Sequence, residues 1–249
     1  MNATARSIIV LLLLGLWGCA GVFTRPGPDG EAAALLEKAG SADPGLRTLK
    51  GLATVDILRS GKHYQARLAW ICEPPDRFRI TVLGALGRPS LSLTSDGRQF
   101  FYLSHDSGEF KKWQRGAMFT PLTMPIAVAP EDIAAVLSGR IPTRAHDSAS
   151  VTPGEPDGGR VLVLKRWGRI VQTIDFDPEG GAPVGYTVYT AQNTVDYSVS
   201  FQDLRQVAGY RLPWRSEIDG GNGSRVTVRV DRYWPNSPVN PEMFVLAPS

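Results

Sequence analysis

The chain has 249 residues, of which 43% are hydrophobic and 20% charged, with 27 basic against 24 acidic side chains and a formal net charge of +3. That length is enough for one domain with a substantial core. The near balance of charge excludes the basic footprint of a nucleic-acid-binding protein, and two cysteines, Cys19 and Cys72, are too few for a disulfide framework.

The chain opens with a short polar segment whose one positive charge is Arg6. Ten apolar residues follow, 8–17. A bilayer core of about 30 Å needs roughly 20 residues, so this run is too short to span it. It reads as the apolar region of an export signal. The exit, Leu16-Trp17-Gly18-Cys19, resembles the lipobox of bacterial lipoproteins, although Trp17 is unusual inside it. The alternative is an ordinary signal with an incidental cysteine. The resemblance implies that the Cys19 thiol carries diacylglycerol, that the chain is cut before it, and that the new amino terminus is acylated too. Two or more chains such as palmitate hold a protein stably on a membrane. Ala20, where Asp favours inner-membrane retention, implies by the same resemblance a lipid anchor on the periplasmic face of the cell outer membrane.

The expected organisation is a signal peptide over 1–18, a lipidated flexible tether over 19–30, rich in Pro and Gly from residue 22, and a single domain over 31–249. Without Arg6 the remaining 231 residues carry a net charge of +2. An acylated Cys19 leaves Cys72 without a disulfide partner. No second apolar run approaches spanning length, so the protein is expected to sit on the membrane and not to cross it.

Residues 31–40 predict a short helix, with Glu31 leading, Lys38 late and Gly40 closing it. Strands follow. Val55 and Ile57 alternate with Thr54 and Asp56, and Leu68, Trp70 and Cys72 alternate with Arg67 and Ala69. Turn signals recur at Ser60-Gly61, Pro74-Pro75, Asp96-Gly97 and 105–108. Residues 118–130 break the pattern with three prolines. Residues 130–137 predict a second helix, with Pro130 in its first turn and two acids at its positive end. Residues 143–159 read as a polar loop. Period-two segments resume from 160 to 233, with Asp219-Gly220-Gly221-Asn222-Gly223 as a hairpin signal. The expectation is a mainly β (α+β) domain: a curved, eleven-stranded antiparallel half-barrel with short helices over its concave face. That face would carry Tyr64, Leu68, Trp70, Phe78, Ile80, Val82 and Leu91, with Tyr197 and Val199 opposite and Ile133 and Leu137 as helical cover. Either it closes into a packed core or it leaves an apolar cavity that a ligand fills.

Two further segments carry a resemblance. One is Phe78-Arg79-Ile80-Thr81-Val82-Leu83-Gly84-Ala85-Leu86-Gly87; the other is Met124-Pro125-Ile126 and, after a helix, Leu137-Ser138-Gly139-Arg140-Ile141-Pro142. With the lipobox, the chain resembles the LolB-type outer-membrane lipoprotein receptors and the wider LolA/LolB-like fold. The resemblance implies a cavity for the acyl chains of lipoproteins or lipids, delivery to the outer membrane, and a periplasmic LolA-like carrier as donor. It also implies a membrane-delivery loop at Leu86, flanked by Gly84 and Gly87. Leu86 either protrudes or folds back to plug the cavity mouth. The tail from residue 240, with Phe244, departs from the LolB pattern and resembles other lipoproteins of the fold.

Catalytic patterns are missing. His63, His105 and His146 lie on separate elements with no metal-ligand spacing. His105-Asp106-Ser107 is a turn, not a triad, and no Gly-x-Ser-x-Gly elbow or phosphate loop occurs. Asp175 and Asp177 share a strand face beside a turn. Arg77 and Arg79, with Arg67 close by, could meet lipid phosphates or an acidic partner, or simply be solvated. No metal, cofactor or enzymatic activity is expected. The competing readings are an envelope lipoprotein that binds a protein partner with the same sheet and, less favoured, a periplasmic hydrolase.

Overall fold

The computed structural model describes residues 30–40, 45–84, 86–114, 126, 128, 130–154, 158–179 and 181–247. Cys19, the leader, the tether before Gly30 and the Met124-Pro125 pair lie outside them.

Helix α1 spans Gly30–Gly40 and α2 spans Pro130–Leu137. The strands are β1 (Leu49–Arg59), β2 (Lys62–Glu73), β3 (Arg77–Leu83), β4 (Pro89–Asp96), β5 (Gln99–Ser104), β6 (Phe110–Gln114), β7 (Ser148–Pro153), β8 (Arg160–Arg166), β9 (Arg169–Phe176), β10 (Pro183–Tyr189), β11 (Val195–Val207), β12 (Tyr210–Asp219) and β13 (Arg225–Pro235). A 3-10 helix, Pro241–Phe244, follows. All thirteen strands form one antiparallel sheet, in the order β6-β5-β4-β3-β2-β1-β13-β12-β11-β10-β9-β8-β7. Two meanders are therefore joined where the first strand pairs with the last. Thirteen strands replace the eleven expected. One addition is β7, inside the segment read as a loop. Its Ala149 and Val151 alternate too weakly to signal a strand, and pairing with β8 supplies the order.

The sheet curves enough that one apolar cluster gathers side chains from both of its halves and both helices: Leu93 and Phe100 at one side, Leu162 and Ile174 at the other, Leu35 of α1 and Ile133 of α2. At the join, an aromatic row crosses four strands. Trp70 of β2 meets Tyr233 of β13 edge-on at 5.8 Å between centroids, and Tyr233 meets Trp214 of β12 at 5.8 Å. Gly51 of β1 sits between Trp70 and Tyr233 in the ladder. With no side chain there, the indole lies over the backbone; a Cβ would stand 2.2 Å from its ring.

The tail packs on the opposite, convex face. Phe244 is fully buried against β3 and β4. Leu246 joins Phe101 and Leu103 in a second cluster. No helix among the described residues is long and apolar enough to cross a membrane.

Gly51→Ala forces a methyl group into the Trp70 indole. Overpacking of this kind costs about 1–3 kcal/mol. A matching loss of stability is expected in urea unfolding, and an unchanged midpoint would show that the aromatic row shifts freely.

Candidate functional site

The concave face is built by alternation. In β2, side chains 66, 68, 70 and 72 point inward, and register sets Leu68 opposite Val82, Trp70 opposite Ile80, and Cys72 opposite Phe78. Burial is graded along this face. Cys72, Phe78 and Trp70 are buried, Ile80, Val82 and Leu91 half-buried, and Tyr64 is 54% exposed. Tyr64 therefore does not line the interior as expected. The β1–β2 hairpin runs on past the core, and period two alone cannot tell where the cover ends. On the other half, Tyr197 and Val199 of β11 are buried, with Tyr186 of β10 beside them.

Helix α2 covers this face. It touches β2 and β3, and Ile133 and Leu137 enter the core. Every described side chain from Asp132 to Ser138 is buried, so α2 is an insert and not a surface helix. A polar clamp ties it to the far half of the sheet. The buried Asp132 carboxylate accepts hydrogen bonds from the Tyr197 hydroxyl and the Arg144 guanidinium, and Arg144 also donates to the Tyr197 oxygen at 2.9 Å. Gln172 of β9 fixes the segment that carries Arg144. Its Oε1 accepts from the Arg144 N–H at 2.9 Å and its Nε2 donates to Pro142 O at 2.7 Å. Burial, the largest single effect, pulls the Arg144 guanidinium down; the Asp132 charge, the neighbouring tyrosines and the hydrogen bond to Asp132 together outweigh it, and the net displacement is upward. Burial first, then the neighbouring Tyr186 and Asp132, raises the Tyr197 hydroxyl, which therefore stays a neutral donor. Asp132 was expected to serve the helix dipole. Its use as a clamp depends on residues 12 and 65 positions away, which no local pattern reveals.

Between α2 and the sheet, the space bounded by Trp70, Val136, Leu137, Val228 and Tyr233 is only about 10 Å³. That is room for about one water. Larger open grooves lie among the described residues. One of about 350 Å³ lies among Gly40, Pro74, Pro75, Asp132 and Arg144, and one of about 420 Å³ lies by Lys50, Leu52, Ile71 and Trp234. At this site the concave face is occupied by α2.

Leu86 lies in the hairpin between β3 and β4 and is 85% exposed. It stands in solvent and does not fold back into the core. The Gly84 N–H donates to Arg88 O at 2.8 Å, the Gly87 N–H donates to Gly84 O at 2.9 Å, and Gly87 adopts φ +74°, a conformation that favours glycine.

Other candidates have structural partners. Arg77 pairs with Glu73 at 3.0 Å and stacks over the Phe244 ring at 4.5 Å, and Arg79 donates to Met243 O at 3.4 Å. Both hold the tail. His105 Nε2 lies 2.9 Å from Ser92 Oγ, but Ser92 is fully buried, so this pair is a polar pin with no substrate access. Among the described residues no three potential ligands cluster for a metal. Asp177 pairs with Arg211 at 3.5 Å. Cys72 is buried, and burial pushes its thiol up to about 12.

An open antiparallel sheet with short helices on its concave face defines a half-barrel class of fold. No protein-family profile matches the sequence, and no curated protein matches it. Solved structures do match. A DUF1329 family protein from Desulfovibrio piger superposes with TM-score 0.65 at 10% identity, covering 88% of this chain and 98% of that one. A LolA superfamily protein from Nitrosomonas europaea gives 0.61 at 14%, covering 86% and 97%. A putative outer membrane lipoprotein-sorting protein domain from Vibrio parahaemolyticus gives 0.61 at 9%, covering 84% and 94%. The chain shares their fold.

Tyr197→Phe removes a buried hydrogen bond to a carboxylate. A loss of about 1.5–3 kcal/mol is expected by chemical denaturation, and a change under 0.5 kcal/mol would mean that Arg144 alone holds α2. Asp175 gives a pH test. Burial raises its carboxyl above the ordinary range, so its contribution favours folding fully below its unfolded value and is lost as pH rises through the folded one. Asp175→Asn should therefore flatten the fall in stability as pH rises above the ordinary carboxylate range; an unchanged slope would assign the dependence to other groups.

Proposed function

We propose that the chain is a lipid-anchored envelope protein that holds acyl chains of lipoproteins or lipids and passes them to the outer membrane without a covalent step. The observation that carries this reading is Leu86, an apolar side chain 85% exposed at a hairpin tip. Loops are ordinarily polar, and a Leu held out on a glycine-flanked hairpin gains apolar burial wherever that tip meets a bilayer. The fold shared with a LolA superfamily protein and a lipoprotein-sorting domain supports the same reading.

In this reading an acyl chain and α2 are alternative occupants of one concave face. A chain that displaces α2 must outweigh the loss of its buried side chains and of the Asp132 clamp. Its affinity is then modest, which lets cargo leave downhill for a bilayer. The lipobox at Cys19 supplies the anchor, and a periplasmic LolA-like carrier supplies the cargo. A second reading, a lipoprotein that binds an envelope protein and no lipid, is favoured by the filled space under α2.

Leu86→Glu is expected to leave the unfolding midpoint unchanged while slowing transfer of an acylated lipoprotein to outer-membrane vesicles by tenfold or more. Undiminished transfer would take Leu86 out of the machinery. A fluorescent fatty acid should bind the wild-type chain weakly and Tyr197→Phe more tightly. No binding by either favours the second reading.

A further inference from the structure

Six large apolar side chains are exposed among the described residues: Tyr64, Leu86, Trp167, Val195, Met243 and Val245. The last two belong to the tail. The other four lie at one end of the sheet, the end that carries the β1–β2, β3–β4, β8–β9 and β10–β11 turns. Apart from the tail, no large apolar side chain is exposed at the opposite end among the described residues.

Trp167 is the least expected of the four. It occupies the first position of the two-residue turn between β8 and β9, with φ +52°, and Gly168 follows at +76°. Such a turn favours Asn, Asp or Gly at both positions. A tryptophan there carries backbone strain and is 76% exposed besides. The display is braced: Asp147 Oδ2 accepts the Trp167 N–H at 2.7 Å, and the Arg166 guanidinium stacks 4.4 Å from the ring centroid. Tryptophan with a neighbouring cation is the pairing enriched at membrane interfaces, where the ring sits at headgroup depth and the long basic side chain reaches the phosphates.

The charge at this end agrees. Arg59, Lys62, Arg88, Arg166 and Arg169 are exposed on the turns or beside them, and none has an ion pair among the described residues. The exposed acids there are Asp106, Asp196 and Glu109, the last paired with Lys111 at 2.6 Å. Basic side chains near an anionic surface each add attraction, and the sum is salt-sensitive.

We infer that this whole end of the sheet docks onto an anionic bilayer, with Trp167 as a second membrane contact beside Leu86. The β3–β4 and β8–β9 tips are eight strand spacings apart, roughly 38 Å along the curved sheet. Two contacts so far apart fix the tilt of the molecule on the surface, where one contact leaves it free to rock. α1 begins at the other end, where Glu31 pairs with Arg160 at 3.0 Å. Residues 20–29 extend to roughly 38 Å at most, about the length of an eleven-residue strand, so an anchor at Cys19 still lets the tips reach the same membrane.

The inference rests on the reading of Leu86 and is tested apart from it. The chain from Ala20 onward retains every described element and leaves Cys72 as its one thiol, buried and hard to ionise. Leu86→Cys, Trp167→Cys and, at the opposite end, Glu179→Cys then accept an environment-sensitive dye. With phosphatidylglycerol-containing vesicles, the dyes at 86 and 167 should both shift to the blue while the dye at 179 does not. The shifts should fall several-fold in 0.5 M salt (roughly a 4 Å screening length) and with phosphatidylcholine alone. A shift at 86 without one at 167 overturns the two-tip docking and leaves the Leu86 reading standing. No shift at either overturns both. Equal shifts on neutral vesicles overturn the role of the cations.

Discussion

Everything in this fold depends on the pairing of β1 with β13. Ten residue pairs, from Leu49–Pro235 to Leu58–Arg225, join the first strand to the last. Without that seam the chain is two separate meanders, each with an apolar face too wide for one short helix. Asn236 locks the seam: its side-chain oxygen accepts from the Arg47 N–H at 2.8 Å, and its Nδ2 donates to Gly45 O at 3.0 Å and to the Tyr210 hydroxyl at 2.8 Å. Contacts of such long sequence separation form late, because the loop between them must close first. The two halves are thus free to form by local hairpins, and the concave face exists only once the termini meet.

How much of this was legible in the sequence depends on the range of the interaction. Strand and helix identity follow from neighbours, and α1, α2 and most of the strands lie where alternation or capping signals place them. β7 does not, since Ser148–Pro153 owes its extended form to β8 and not to its own pattern. The inward residues were readable as a class, but the end of the core was not, and Tyr64 passes beyond it. Leu86 was readable as odd because its glycine neighbours mark a turn; which way it points is a tertiary fact. The clamp on α2 was invisible, because Asp132, Arg144 and Tyr197 look unremarkable one at a time. The tail hid its role for the same reason: Phe244 finds its pocket more than 160 residues back, against β3.

The clamp also bears on how the interior is closed. A buried carboxylate is tolerable only with its donors in place. Lifting α2 from the sheet would therefore mean separating Asp132, Tyr197 and Arg144 together, and not apolar contacts alone. The ring hydroxyl and guanidinium then face water, and the carboxylate regains solvation.

An open sheet has two unpaired margins, and this one ends at β6 and β7. Such margins offer backbone donors and acceptors to any extended peptide that passes. The β6 margin carries adjacent lysines, Lys111 and Lys112, whose ammonium groups lie over the rings of Tyr102 and Phe101. The β7 margin is short, ends in Pro153, and has α1 packed along it. Both ends therefore resist templating, one by repulsion and desolvation and the other by obstruction. An incomplete barrel keeps the freedom to change curvature that closure would forbid, and these margins guard it against edge-to-edge pairing.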